Sequence, residues 1–180
     1  MLNSINNFSH KPSLKLNTKF KLESGKTLDC PTIAYKTYGK LNSKKSNAIL
    51  VCHALTGDQY AAEYNPITNK KGWWYGLIGK GKVFDTKKYF IISSNVLGGC
   101  MGTTGPNSIN PKTKQVYGLS FPDISIKDMV ALQVELIKFL EIKQLLCVVG
   151  GSMGGMQVLE WGISYYNRVK LLIPIATSFR

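Results

Sequence analysis

Cys147-Val148-Val149-Gly150-Gly151-Ser152-Met153-Gly154-Gly155-Met156-Gln157 is the stretch whose reading decides the fold. An apolar run over residues 145–149 reads as a short buried strand, and residues 156–166 read as a helix. Between them glycines crowd both sides of one serine. Strand, tight Gly-x-Ser-x-Gly turn and helix together form a nucleophile elbow, and Gly150-Gly151-Ser152-Met153-Gly154 fits it. Such a turn lifts the serine Oγ clear of the backbone. Its glycines let strand and helix pack closely, and the helix N-terminus offers free N–H groups to a developing oxyanion. A glycine-rich structural turn with an incidental serine is the competing reading, and the flanking strand and helix weigh against it.

Working outward, residues 48–52 (Ala-Ile-Leu-Val-Cys) form a continuous apolar run typical of a strand buried on both faces of a parallel sheet. They lead into His53-Ala54-Leu55-Thr56-Gly57-Asp58. Acyl transfer through serine needs two converging N–H donors. One belongs to the residue after the nucleophile, here Met153, and the other to a loop after an earlier central strand, which by position is Leu55. A plain strand-to-loop exit is the alternative for this loop taken alone. His53 precedes the serine, whereas the order in this architecture is serine, acid, histidine, so it reads as a loop anchor rather than the base.

Residues 60–83 form a long irregular stretch around Gly72-Trp73-Trp74-Tyr75-Gly76, where packing under the loop is the simpler role for the two tryptophans. Residues 89–93 read as a strand that runs into a second glycine-rich loop, Asn95 to Pro106. Ser125 with Asp128 resembles a capping box opening a helix to about Glu141. Further strands are expected at residues 20–23, 31–38 and 169–173, the last ended by Pro174. The order from Ala48 onward is strand, loop, strand, helix, strand, helix, strand, which implies an α/β fold with a mostly parallel central sheet. Residues 1–18, with His10, read as a loose N-terminal arm and residues 19–180 as the domain.

Composition narrows the function. The chain has 180 residues, 44% of them hydrophobic, enough for one domain with a real core. No apolar run is long enough to span a membrane, and the polar, lysine-bearing start is not a secretory signal. The formal net charge is +13, yet the only arginines are Arg168 and Arg180 and no basic run is interleaved with aromatics, so nucleic acid is not an expected partner. That field suits an anionic substrate such as a CoA ester. Cys30, Cys52, Cys100 and Cys147 lie far apart without metal-ligand spacing and read as reduced thiols of a cytoplasmic protein; no metal is expected.

Four motifs, taken in order, carry a resemblance: His53 to Asp58, Gly72-Trp73-Trp74, Asn95 to Pro106, and Gly150 to Gln157 with Leu159-Glu160-Trp161. Over residues 30–180 the chain resembles homoserine O-acetyltransferase, of the α/β-hydrolase superfamily. The resemblance implies transfer of an acetyl group from acetyl-CoA to the hydroxyl of L-homoserine, in methionine synthesis, by a cytoplasmic and typically dimeric enzyme without a bound cofactor. By position, Ser152 resembles the acetylated nucleophile, Met153 and Leu55 the oxyanion donors, and Thr56 and Gln157 substrate-binding residues beside them. Some relatives use succinyl-CoA; the Leu55-Thr56-Gly57-Asp58 loop and the Asn95-Val96-Leu97 start look more like the acetyl-using members. Family members are longer. The resemblance therefore implies an N-terminal portion, with lid, substrate-carboxylate arginine and triad aspartate and histidine beyond Arg180, since no histidine follows Ser152. The isolated chain is expected to turn over negligibly and to expose apolar sheet edges. An esterase or thioesterase of the same fold, or a non-catalytic fragment that pairs with a separate C-terminal half, are the alternatives.

Overall fold

Eight strands and two helices follow one another as β1 (Ser13–Lys15), β2 (Lys19–Lys21), β3 (Thr27–Asp29), β4 (Thr32–Tyr38), β5 (Ala48–Cys52), β6 (Phe90–Ser94), α1 (Ile126–Phe139), β7 (Leu145–Gly151), α2 (Met153–Ser164) and β8 (Val169–Ile175) in the computed structural model, which describes residues 12–178. Six strands form one sheet in the order β1-β4-β6-β5-β7-β8, and β2 and β3 make a separate hairpin. β6, β5, β7 and β8 are mutually parallel, whereas β4 joins β6 antiparallel and β1 joins β4 antiparallel. The chain thus has the α/β fold with a mostly parallel sheet that its apolar runs predict.

The parallel strands are apolar on both faces because both faces are covered. Leu50, Ile92 and Val148 pack beneath α1 and α2, against Val130, Leu136, Val158 and Trp161. On the opposite face Ile49, Val51, Ile91, Cys147 and Val149 meet Ala61 and Ile78, with Trp73, Trp74 and Phe84 at the margin. The long 60–84 segment therefore does the work of a covering helix. Trp74 stacks on Phe84 with ring centroids 5.3 Å apart, and Trp73 leans on Trp74 at 4.9 Å. α1 starts where its sequence says it should. The Ser125 hydroxyl accepts the Asp128 N–H, and the Asp128 carboxylate accepts the Ser125 N–H at 2.9 Å, a reciprocal capping box with aspartate in the glutamate position.

Three expectations need correction. The arm of residues 1–18 is not loose where it is described: β1 lies on the sheet edge with Leu14 opposite Ile33, and Leu16 N–H donates to Pro31 O at 2.9 Å. A three-residue strand carries no periodic signature of its own, and its partner creates it. His10 lies outside the described residues. α2 begins at Met153, three residues earlier than its apolar pattern indicates, since Gly154 and Gly155 have low helix propensity but are required for packing. Finally, β8 runs through Pro174 to Ile175. Ser152 N–H donates to Ile175 O, so the backbone of Ile175 faces β7 and that of Pro174, one residue earlier, faces outward. Among the described residues β8 is the outermost strand on this side, and there the missing proline N–H removes no ladder bond.

β8 is also where burial fails. Leu171, Ile173 and Ile175 are 57%, 44% and 44% exposed, although Cys147 and Val149, the β7 register partners of the first two, are buried. The core stops abruptly along this strand, with an apolar stripe and an open edge beside it.

Candidate active site

Parallel strands deliver the loops that follow them to one end of a sheet, and here β5, β6 and β7 deliver residues 53–58, residues 95–106 and Ser152. β5 lies between β6 and β7, where the strand order reverses, and in open α/β sheets ligands bind outside the carboxyl ends of strands at such a point.

Ser152 takes φ 55° and ψ −124°, a conformation L-residues rarely adopt. It stands at the N-cap of α2 yet makes no side-chain capping bond, so its hydroxyl is not consumed by the helix. Its backbone is pinned instead. The N–H donates to Ile175 O at 3.0 Å, and the C=O accepts from Gly155 N–H at 2.8 Å and from the Thr177 hydroxyl at 2.8 Å. The side chain is exposed at the sheet end. Met153 is the first helical residue, whose N–H has no intrahelical acceptor.

Close packing brings the β5 exit against this turn. A Cβ on Gly154 would lie 2.1 Å from Cys52 O and 3.0 Å from His53 O, and one on Gly150 would lie 2.7 Å from Cys52 O. Only hydrogen at these positions allows the elbow to reach the strand end that leads to Leu55. Leu55 is 78% exposed, in a turn closed by Gly57 N–H donating to Ala54 O at 2.9 Å. Among the described residues nothing accepts the Leu55 N–H. Thr56 beside it is exposed too. Ser152, Met153, Leu55 and Thr56 are therefore gathered at one end of the sheet.

Gln157 is not at that surface. It is fully buried beneath the elbow and its carboxamide is used internally. The expectation that it binds substrate placed it correctly beside the site but on the wrong side of the backbone, because the helix turns position 157 towards α1. Its Oε1 accepts from Gln133 Nε2 at 2.7 Å. Gln133 was missed in the sequence because it sits alone within an otherwise apolar stripe of α1. The available signal was Met153, Gln157 and Trp161 at intervals of four, one face of α2 with polar atoms buried in it.

His53 is buried and serves as the anchor its place in the chain predicts. Its Nε2 accepts from Val96 N–H at 3.2 Å, so the neutral ring carries its proton on Nδ1, which donates to Ala54 O at 2.7 Å. Burial holds its pKa below the usual imidazole value. One ring thus ties the Leu55 loop to the second glycine-rich loop. That loop is bound in turn to β4: Thr103 Oγ1 accepts Ala34 N–H at 3.0 Å and donates to Asn95 O at 2.8 Å. Trp73 adds a polar tie beyond packing, its indole N–H reaching Asp58 O at 2.8 Å. Burial pushes the thiols of Cys52 and Cys147 up to about 12 and about 11, so neither rivals the serine as nucleophile. Among the described residues no three histidine, cysteine, aspartate or glutamate side chains cluster as metal ligands would. No helix among them is long and apolar enough to cross a membrane.

Comparison with known proteins agrees with this geometry. Residues 47–179 match the family described as alpha/beta hydrolase fold. A homoserine O-acetyltransferase of Deferribacter desulfuricans is 60% identical over 162 residues, which are 89% of this chain and 43% of that protein. The crystal structure of homoserine O-acetyltransferase from Bacillus anthracis superposes with a TM-score of 0.81 at 38% identity, covering 88% of this chain and 44% of that one. Esterase E22 superposes with a TM-score of 0.82 at 36% identity, covering 89% of this chain and 45% of that one. The chain thus spans less than half the length of these relatives.

Proposed function

This chain belongs to the α/β-hydrolase family, and on that premise we propose that it provides the nucleophile and oxyanion half of an enzyme that acetylates L-homoserine from acetyl-CoA. The observation that carries the reading is the exposed, strained Ser152 in an elbow whose Gly150 and Gly154 pack on the carbonyls of Cys52 and His53, which lead to Leu55. The identity of the transferred group and its acceptor rests on relatives named homoserine O-acetyltransferase at 53% to 62% identity.

In this reading Ser152 Oγ attacks the thioester carbonyl. Its proton passes through a general base to the departing sulfur as the C–S bond breaks, leaving acetyl-Ser152 and free CoA. The homoserine hydroxyl then attacks the ester carbonyl, forming the new C–O bond and giving up its proton to the same base. As the acetyl C–Oγ bond breaks, Ser152 Oγ takes that proton back and O-acetylhomoserine leaves. Met153 and Leu55 N–H groups receive the negative charge of both tetrahedral intermediates, each worth about 2.7–4 kcal/mol by analogy with other oxyanion donors. Thr56 lies at the entrance, where it meets substrate. The reaction serves methionine synthesis in the cytoplasm, and the complete enzyme is a homodimer.

Among the described residues no histidine is placed to act as that base. The sequence holds two histidines, His10 and His53, and both ring nitrogens of His53 are engaged away from the serine. A polypeptide equivalent to the remaining length of the relatives supplies it, and β8 is where it packs: the Leu171–Ile173–Ile175 stripe accepts an apolar cover, and the outer edge accepts a further strand, to which Pro174 gives no N–H. The 180-residue chain alone turns over negligibly.

The test is to assay acetyl-CoA and L-homoserine with the chain alone and with the chain joined or co-expressed to the remaining length of the Deferribacter desulfuricans relative. O-Acetylhomoserine formed only by the completed protein, and lost with Ser152→Ala, supports the reading; full rates from the chain alone refute the missing base. The likeness to esterase E22 favours a second reading, hydrolysis of acyl esters. Free acetate as the only product would establish it.

A further inference from the structure

We propose that Gln157 is a positioning residue that holds the two oxyanion donors at a fixed separation, and that it is itself held by a buried relay through Gln133 to Trp161. The inference rests on Leu55 and Met153 being those donors.

Gln157 Nε2 donates to His53 O and to Met153 O, each at 3.3 Å. The first carbonyl lies two residues before Leu55, and the second belongs to Met153 itself. One NH₂ group, with two hydrogens, thus takes one carbonyl from each half of the oxyanion site. No other side chain among the described hydrogen bonds joins those two segments directly.

The orientation of the carboxamide follows from the chemistry of its neighbours. The Trp161 indole can only donate, and it lies 2.9 Å from Gln133. Gln133 must therefore present Oε1 to the indole and Nε2 to Gln157, 2.7 Å away. Gln157 must accept there with Oε1, which leaves its Nε2 facing the two carbonyls. A flip of either amide would set donor against donor inside a dry core. Trp161, Gln133 and Gln157 are each at most 1% exposed, so water cannot replace a lost partner. Gln133 Nε2 also points at the Cys52 sulfur, 3.9 Å away, on the strand that carries the Leu55 loop.

If the relay served only to satisfy buried polar atoms, breaking it would weaken the fold without singling out Leu55 and Met153. If it positions them, those two amides respond first. The experiment is ¹⁵N relaxation and amide chemical shifts on the 180-residue chain, wild type against Gln157→Leu, Gln133→Leu and Gln157→Glu. In Gln157→Leu we expect the order parameters of Ala54, Leu55 and Met153 to fall from about 0.85 towards 0.6, with those of β5 and β7 unchanged. Gln133→Leu should shift the Trp161 indole resonance and loosen the same amides less. Protonated glutamate keeps one donor and one acceptor, so Gln157→Glu should restore part of the loss. Unchanged Leu55 and Met153 amides in a folded Gln157→Leu protein overturn the proposal. If that variant does not fold, unchanged amides in both Gln157→Glu and Gln133→Leu overturn it equally. These measurements need no turnover, so they stand apart from the acyl-transfer reading. In a completed, active enzyme Gln157→Leu should lower kcat about 10- to 100-fold with KM retained; a change in KM alone would assign Gln157 to substrate binding and overturn the proposal.

Discussion

Two glycines three residues apart in the elbow should respond oppositely to alanine. A methyl on Gly154 would sit 2.1 Å from Cys52 O and 2.8 Å from Cys52 C, against an ordinary contact of 3.4 Å or more. The clashing atoms are backbone at the end of β5, fixed on both sides by parallel ladders to β6 and β7. No rotamer can relieve the contact, so α2 must retreat by more than an ångström. Overpacking a tight interior costs about 1–3 kcal/mol where side chains can adjust, and the fixed backbone places Gly154→Ala at about 3 kcal/mol or more. A methyl on Gly151 would meet nothing nearer than Ile175 O at 3.8 Å, and Gly151 is not among the residues with positive φ. Gly151→Ala should therefore gain about 0.4–1 kcal/mol from a stiffer unfolded chain. Urea unfolding of both variants measures the gap, with unchanged slopes confirming that the midpoints report stability. Gly154→Ala within about 0.5 kcal/mol of wild type would refute the close approach of elbow and β5, and with it the adjacency of the two oxyanion donors.

Ser152→Gly should raise stability by about 1 kcal/mol, since it releases a strained backbone worth about 1–3 kcal/mol and adds glycine's entropic cost of about 0.5–1 kcal/mol; Ser152→Ala, which keeps a Cβ, should gain little in the same urea assay. His53 is held below its ordinary pKa of 6.5 by burial, so the unfolded chain binds a proton that the folded chain refuses. Stability should be flat between about pH 6.5 and 8 and fall below that window, by at most about 1.4 kcal/mol per pH unit, with His53→Gln flattening the limb between about pH 6.5 and 5 in urea midpoints taken across pH; above it the raised Cys52 and Cys147 thiols make stability fall again. Asp128→Ala leaves Glu23 N–H, at 2.7 Å from the carboxylate, and Ser125 N–H without acceptors, and should cost about 2 kcal/mol by thermal or urea unfolding.

How much of this could be read in the residues depends on whether the cause is local. Ser125 and Asp128 make their capping box within four residues, and the 48–52 and 145–149 runs declare buried strands by composition alone. The glycines around Ser152 announce a close approach without naming what approaches. That β5 is the neighbour, and that Gly154 rather than Gly151 is the tight position, depends on lateral strand order. The same order explains the misreading of Pro174. Proline stops a strand where its N–H would face a partner, but the sequence does not say which way the backbone at Pro174 faces. β1 escaped notice because three residues have no period, and Gln133 because a lone polar residue on an apolar face looks like an interruption until its partner on another helix is known.

Gln157 shows where such reading stops and what structure adds. Its role as a substrate contact is only what the family resemblance implies, by its position at the end of the Gly150–Gln157 motif. A helix starting at Met153 turns position 157 inward, and the direction of the side chain decides its role. There it meets the carbonyl of His53, which leads to Leu55, and that of Met153. A site assembled from two strand ends needs something to fix their separation when substrate charge develops, because preorganised donors stabilise that charge only if they need not move to meet it. Backbone packing at Gly154 sets how near the halves come. On the proposed reading the buried carboxamide holds the two halves together, while the His53 ring fixes the Leu55 loop against Val96. What the described residues leave open is the apolar margin along β8, where Leu171, Ile173 and Ile175 stand exposed.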